Sequence, residues 1–254
     1  MNGVGYGITP FMGASGILAR SSGGGGVPFT NTYSMSLDGV DECFDVGNPA
    51  SLQITGALTI SAWVKTASNK DAIIVSKDDQ TNRSFTLWAN LAGGGANYTS
   101  LYVFSGGAAT SVISNTLLTA GTWHHVMAVY VPSTTMKIYI NGVLNKENTT
   151  SIPASIDNDP ANFLIGKGLT AGYNFYGNID EVAIWNSDQS ANISTIYNSG
   201  TPADLTSLSP VSWWRMGDGD TWGGSSWTLT DNGSGGNDAT SVNMEEADRV
   251  TDVP

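Results

Sequence analysis

Lys137-Ile138-Tyr139-Ile140-Asn141-Gly142-Val143-Leu144 reads as a β-hairpin. An Asn-Gly pair stands between two short apolar runs, and both turn residues tolerate the positive φ that a two-residue hairpin loop requires. Upstream, Trp123 to Tyr130 is a longer β-rich run. Leu101-Tyr102-Val103-Phe104, Phe85-Thr86-Leu87-Trp88 and Ala72 to Ser76 read as further strands. Leu58-Thr59-Ile60-Ser61-Ala62-Trp63-Val64 alternates cleanly, and so does Ser34-Met35-Ser36-Leu37, ahead of a turn at Asp38-Gly39. Downstream lie Phe163-Leu164-Ile165-Gly166 and the run from Ile179 to Trp185. Gly, Asn, Asp and Ser clusters separate the runs at the spacing of a β-sandwich.

One short helix is expected over residues 190–197, with Ile193, Ile196 and Tyr197 on one face. Asn198-Ser199-Gly200 would end it, with Pro202 just beyond. No helix long enough for a βαβ crossover is visible, which argues against a parallel sheet.

Composition narrows the function classes. The 254 residues carry 22 acidic and 10 basic side chains, a net charge of −12, with 13% of residues charged and 31 glycines. Nucleic-acid binding needs clustered Lys and Arg, and no basic run occurs. No apolar stretch approaches the ~20 residues of a membrane helix, and the N-terminus lacks the pattern of a signal peptide. Cys43 is the single cysteine, so no intrachain disulfide forms. Its strand-like surroundings predict a buried, inert thiol.

Residues 1–32 form a Gly-rich N-terminal arm, with Tyr6, Phe11, Met12, Ile17 and Leu18 spaced ahead of four consecutive glycines. Two readings stand: a flexible leader, or an arm that inserts its apolar residues into a neighbouring subunit and recovers the ordering entropy there. Residues 33–205 make the sandwich, and residues 206–254 a C-terminal extension.

Five motifs inside the sandwich resemble the laminin-G-like, concanavalin A-like lectin/glucanase domains. Ser36-Leu37-Asp38-Gly39-Val40-Asp41-Glu42 is similar to their opening strand. Leu58 to Lys65, Gly121-Thr122-Trp123-His124-His125-Val126, Lys137 to Gly142 and Phe175-Tyr176-Gly177-Asn178-Ile179-Asp180-Glu181-Val182 follow in the family's order. The resemblance implies an all-β fold, a two-sheet antiparallel jelly roll. The extension adds a second clue. Val211-Ser212-Trp213-Trp214-Arg215-Met216-Gly217-Asp218, through Asp231 to Thr240, resembles the segment that normally precedes the first strand. It would supply that strand in cis, as in a circular permutation, or to a neighbouring chain by strand complementation; a decayed, loosely packed repeat is the third possibility.

The resemblance also implies one structural Ca²⁺, with Asp38, Asp41, Asp180 and the carbonyl of Gly39 as candidate ligands. Asp180 shares strand parity with apolar Val182 and Ile184, where a carboxylate is costly unless neutralised or hydrogen-bonded. For sugar stacking, Tyr98, Tyr173, Tyr176 and Trp222 lie in Gly- or Asn-rich stretches and are candidates. Hydrolysis of glycosides needs two carboxylates ~5–5.5 Å or ~6.5–9.5 Å apart. Asp180 and Glu181 are adjacent and so point to opposite faces of a regular strand. His124 and His125 alternate in the same way. No catalytic residue is assigned.

These features together predict a non-enzymatic protein resembling phage virion structural proteins, in which laminin-G-like modules serve as capsid decorations or fibre heads. On that analogy the chain is a homo-oligomer, a trimer in the simplest case. It contacts capsid or tail proteins and cell-surface glycans, and it resides on the virion. A free, extracellular carbohydrate-binding lectin is the alternative, and a glucanase-like hydrolase the second.

Overall fold

The computed structural model describes residue 1 and residues 29–92, 97–168 and 173–254. Most of the Gly-rich arm therefore lies outside the described residues. The strands run in chain order as β1 (Ser34–Asp38), β2 (Cys43–Gly47), β3 (Leu58–Thr66), β4 (Ala72–Asp78), β5 (Arg83–Ala92) and β6 (Asn97–Ser105). Then come β7 (Ala108–Ile113), β8 (His124–Val131), β9 (Thr135–Ile140), β10 (Val143–Asn148), β11 (Phe163–Ile165) and β12 (Tyr176–Trp185). The extension carries β13 (Ser212–Trp214), β14 (Thr221–Trp222), β15 (Trp227–Leu229), β16 (Ala239–Val242) and β17 (Arg249–Val250).

They form two antiparallel sheets. One has the order β10-β9-β8-β3-β12-β1-β17, with β13 also paired to β12; the other is β14-β15-β16-β2-β11-β4-β5-β6-β7. The hairpin read from Asn141-Gly142 joins β9 to β10, with φ of 50° and 76° at the two turn residues. The side chain of Asn141 reaches back to accept the amide of His125 at 2.9 Å, and a Cβ on Gly142 would collide with the ring of Tyr197. The helix is shorter than expected. α1 spans Ile193–Tyr197, preceded by a 3-10 turn over Ser190–Asn192. Left-handed Asn198 and Ser199 end it as the sequence suggests.

The extension is built into both sheets of its own chain. β16 pairs with β2, β13 with β12 and β17 with β1. Trp214, Met216, Trp227, Leu229, Ala239 and Met244 enter the core between the sheets. Trp214 stacks on Phe163 at 5.5 Å, and its indole N–H donates to the carbonyl of Asn237 at 2.8 Å. Asp252 ties down the end, accepting from Lys65 Nζ at 2.6 Å and Trp123 Nε1 at 3.0 Å.

A second apolar cluster covers the outer face of the first sheet. Met127, Val129, Tyr139, Ala183, Trp185 and Trp213 lie there beneath Ile196 of α1, Leu205 and Phe29. Cys43 is buried as expected, and desolvation pushes its thiol up to about 11.

β12 corrects the parity expected of Asp180. Asp180 lies opposite Trp63 and Ala183 opposite Ser61, so β12 holds one residue more than β3 between those pairs. Glu181 is the extra residue, a β-bulge with φ of 48°. Ile179, Val182 and Ile184 therefore face the core, while Asp180 faces outward with Ala183. The bulge also puts Glu181 on that outer side, where it accepts from Trp213 Nε1 at 2.5 Å and Arg215 Nε at 3.2 Å. The adjacent carboxylates thus share a face, contrary to the expectation for a regular strand.

Candidate functional site

β5 and β6 alternate between two faces, and β4 does so on either side of a bulge that leaves both Ile74 and Val75 in the core. Ile74, Phe85, Leu87, Leu101 and Val103 enter the core. The intervening residues stand on the outer face, where the register sets Thr86 beside Tyr102 and Ser76 beside Thr86. This face carries a cavity of about 240 Å³ lined by Ile73, Ser76, Asp78, Gln80, Arg83, Thr86, Trp88, Gly168 and Tyr173. A smaller one of about 90 Å³ adjoins it across Arg83, Thr86 and Trp88 and adds Tyr102 and Phe104. Together they form one groove.

Its side chains are held in place. Trp88 and Tyr173 meet edge to face at 5.1 Å, and both are half-buried. Arg83 lies over the ring of Phe104 at 3.9 Å. Its Nε donates to both oxygens of Asp78 at 3.0 Å, and its Nη2 to Oδ2 at 2.8 Å. Asp78 also accepts from the Gln80 amide at 2.7 Å and from Thr86 Oγ1 at 3.3 Å. Its carboxylate is thereby committed to the protein. The groove offers aromatic faces, a planar cation and hydroxyls, the mixture of apolar wall and few polar anchors that suits a small polar ligand. Among the described residues that line it, Asp78 is the only carboxylate.

Of the four aromatic residues picked from sequence, Tyr173 lies in this groove. Tyr98 is on the face of Tyr102, further along β6. Tyr176 is 49% exposed and belongs to a separate rim cavity. Trp222 packs on Trp227 at 5.5 Å in β14, at the far edge of the same sheet. Sequence reasoning passed over Trp88, Tyr102 and Arg83. For Trp88 and Tyr102 the available signal was alternation: once Phe85 and Leu87 are core, Trp88 must face outward; Arg83 shares the parity of Phe85 and reaches the groove only through the register shift at Asp78.

The four candidate calcium ligands do not come together. Asp38 pairs with Tyr176 on β12, four residues before Asp180, so at ~3.3 Å per residue the two lie ~13 Å apart. Asp180 instead accepts from Asn31 Nδ2 at 2.8 Å within a buried cluster. Burial and the neighbouring Glu181 hold its carboxyl well above the usual range. Asp41 accepts from Asn243 at 2.9 Å. Asp38 and Gly39 do line a rim cavity of about 300 Å³, together with Lys70, Asp71, Asn174 and Tyr176. There Asn174 Oδ1 is buried with no hydrogen-bond partner, while its Nδ2 donates to the carbonyl of Val40. Two carboxylates and an amide oxygen are hard donors suited to Ca²⁺; Lys70 opposes a cation.

Neither the Asp180–Glu181 pair nor His125 makes an accessible catalytic centre. Asp180 and Glu181 are 0% and 3% exposed. Phe29 stacks on Trp213 nearby, and Arg215 spans Glu181 and Asp218. His125 is fully buried, and desolvation pushes it down to about 3. Ser61 Oγ lies 2.8 Å from its Nε2, but Nδ1 has no partner to orient the ring, and Trp63 and Tyr197 pack against it.

Similar folds occur among solved structures. A Bacteroides ovatus protein provisionally designated carbohydrate binding superposes with a TM-score of 0.67 at 19% identity, over 88% of this chain and 61% of its own. This chain thus spans less than two thirds of that protein. The heptameric SAP-like pentraxin of Limulus polyphemus gives 0.50 at 15% identity, over 66% of this chain and 82% of the pentraxin. The binding domain of Paraclostridial Mosquitocidal Protein 1 gives 0.51 at 14% identity, over 65% and 45%. At these identities the likeness is one of fold. No curated protein sequence matches significantly. The family model of the concanavalin A-like lectin/glucanases superfamily matches residues 38–193, more than half of the sequence, and the chain belongs to that superfamily.

Proposed function

We propose that this chain is a non-catalytic, lectin-like protein that binds glycans in the groove on β4, β5 and β6. The observation that carries the reading is Trp88, a half-buried ring on an outward strand face, flanked by Tyr102 and Tyr173 and by a fixed Arg83. Sugar C–H faces stack on such rings, and sugar hydroxyls pair with the polar anchors. The larger part of the groove, about 240 Å³, lies near the low end of the ~300–1,000 Å³ typical of small-molecule sites, which favours recognition of one or two sugar rings. The lone, committed carboxylate supports binding over hydrolysis, since glycosidases use a pair. A glycan array with the intact chain, followed by titration of the best binder against Trp88→Ala, tests the reading. Absence of any glycan binding overturns it. Release of reducing ends from that glycan would replace it with the hydrolase.

The virion setting is part of the proposal, as a decoration or fibre protein that presents this groove. It is supported by the Gly-rich sequence that precedes the sandwich and by analogy. On this reading the extension, paired with β2, β12 and β1, completes its own sandwich, and oligomerisation would rest on other surfaces. Mass spectrometry of purified particles tests the location. Native mass spectrometry tests the trimer.

A cation is proposed at the rim, on the strength of the unpartnered Asn174 Oδ1. Asp38, Asp71, Asn174 and the Gly39 carbonyl would hold Ca²⁺ there, and it would brace the β1–β2 turn against the approach to β12.

A further inference from the structure

We infer that the groove selects acidic glycans, and that the outer edge of the Arg83 guanidinium receives their carboxylate. This deepens the glycan-binding reading and rests on it. A guanidinium has five N–H donors in a planar fork. Arg83 spends one edge, Nε and Nη2, on Asp78. No described residue partners Nη1, so the Nη1/Nη2 edge is open, on a side chain that is 43% exposed. Arg83 belongs to the wall of both parts of the groove.

The arrangement is prepared in advance. Asp78 is buried at 9% exposure and takes contacts from Gln80 and Thr86 as well as Arg83. Phe104, also buried, supports the flat of the guanidinium. A planar donor fixed on both an edge and a face loses little freedom on binding, and its remaining fork matches a carboxylate bidentately. Arg83 is the only cation among the described residues lining the groove. The anion therefore has one seat, with the sugar ring beside it on Trp88 or Tyr102. The net charge of −12 opposes any anion at long range. Physiological salt screens that beyond ~8 Å, leaving the contact at Arg83 to decide.

The probe is a glycan array carrying uronate-, sialate- and sulfate-bearing glycans beside neutral counterparts. The best carboxylated binder is then compared with its own methyl ester, which leaves the protein untouched. The expected result is binding to carboxylated glycans and a loss of about tenfold or more on esterification, as for a charge-assisted hydrogen bond. Arg83→Lys should lose most of the affinity despite keeping the charge, because the fork is gone. Preference for neutral glycans, or an ester that binds as well as the acid, overturns the acidic-ligand inference and leaves the glycan-binding reading standing. Preference for sulfated over carboxylated glycans also overturns the carboxylate assignment. Absence of binding to every glycan ends both.

Discussion

Replacing Trp214 with Ala tests whether the C-terminal extension completes the sandwich within its own chain. Trp214 is 0% exposed, stacks on Phe163 and donates its indole N–H to the carbonyl of Asn237. Truncating a buried Trp costs about 3–5 kcal/mol through lost transfer energy and the cavity left behind. The orphaned carbonyl adds about 1 kcal/mol. For a domain of this size each kcal/mol shifts Tm by roughly 2–4 °C, so a fall of roughly 10–20 °C is expected. Trp222→Ala is the internal control. Trp222 is partly buried on the outermost strand of the second sheet, and its loss should shift Tm by much less. Differential scanning calorimetry over a hundredfold range of protein concentration is the assay. A Tm loss for Trp214→Ala no larger than that of the control would mean that the extension packs loosely. A Tm that rises with concentration would mean that it docks between chains, since only association couples stability to concentration.

Four further outcomes are expected. Trp88→Ala should weaken glycan binding by about 2 kcal/mol, or ~30-fold, as for other aromatic hot spots, with Tm almost unchanged because the ring is only half-buried; titration calorimetry with a parallel melt checks both. Stability should fall as pH rises from about 4 to 7. Burial lifts Glu42 and Glu181 from 4.5 to about 7 and Asp220 from 3.8 to about 6. The folded state therefore holds protons that the unfolded chain has released, so its advantage is full below the ordinary carboxylate range and is lost through the raised values; depressed His125 acts in the opposite sense up to about 6.5, one group against the several raised carboxyls, and a Tm–pH profile flat or rising across the window would contradict the prediction. Adding Ca²⁺ should raise Tm and EDTA should reverse this, with Asn174→Ala abolishing the difference; identical melts with and without Ca²⁺ would remove the rim cation. Asp180→Asn should be tolerated at pH 7 because the buried carboxyl is held towards its neutral form, whereas a large loss of stability at that pH, read by denaturant unfolding, would show that the charge itself is needed.

The candidate site was harder to read than the fold, and the reasons are physical. Tyr173 was found through composition, since aromatic rings in Asn- and Gly-rich loops are easy to notice. Trp88, Tyr102 and Arg83 sit inside strands, where an aromatic or a long cation reads as ordinary sheet filling until its face is known. Asp180 was misplaced by a single residue. A period-two pattern carries parity along a strand only while no residue is inserted, and Glu181 is inserted.

The sequence carried what depends on near neighbours along the chain. Alternation at i and i+2 announced the strands, Asn141-Gly142 announced the hairpin, and the order of five motifs announced a two-sheet antiparallel sandwich. It also announced that residues 206–254 carry strand-forming sequence of the kind that usually opens such a domain. Which strands lie side by side was settled by the tertiary structure. It placed β16 on β2, β13 on β12 and β17 on β1, and it aligned β5 with β6 so that Arg83, Trp88 and Tyr102 share one groove. Pairing between distant segments is settled by register and shape across the whole core, which no local window of sequence contains.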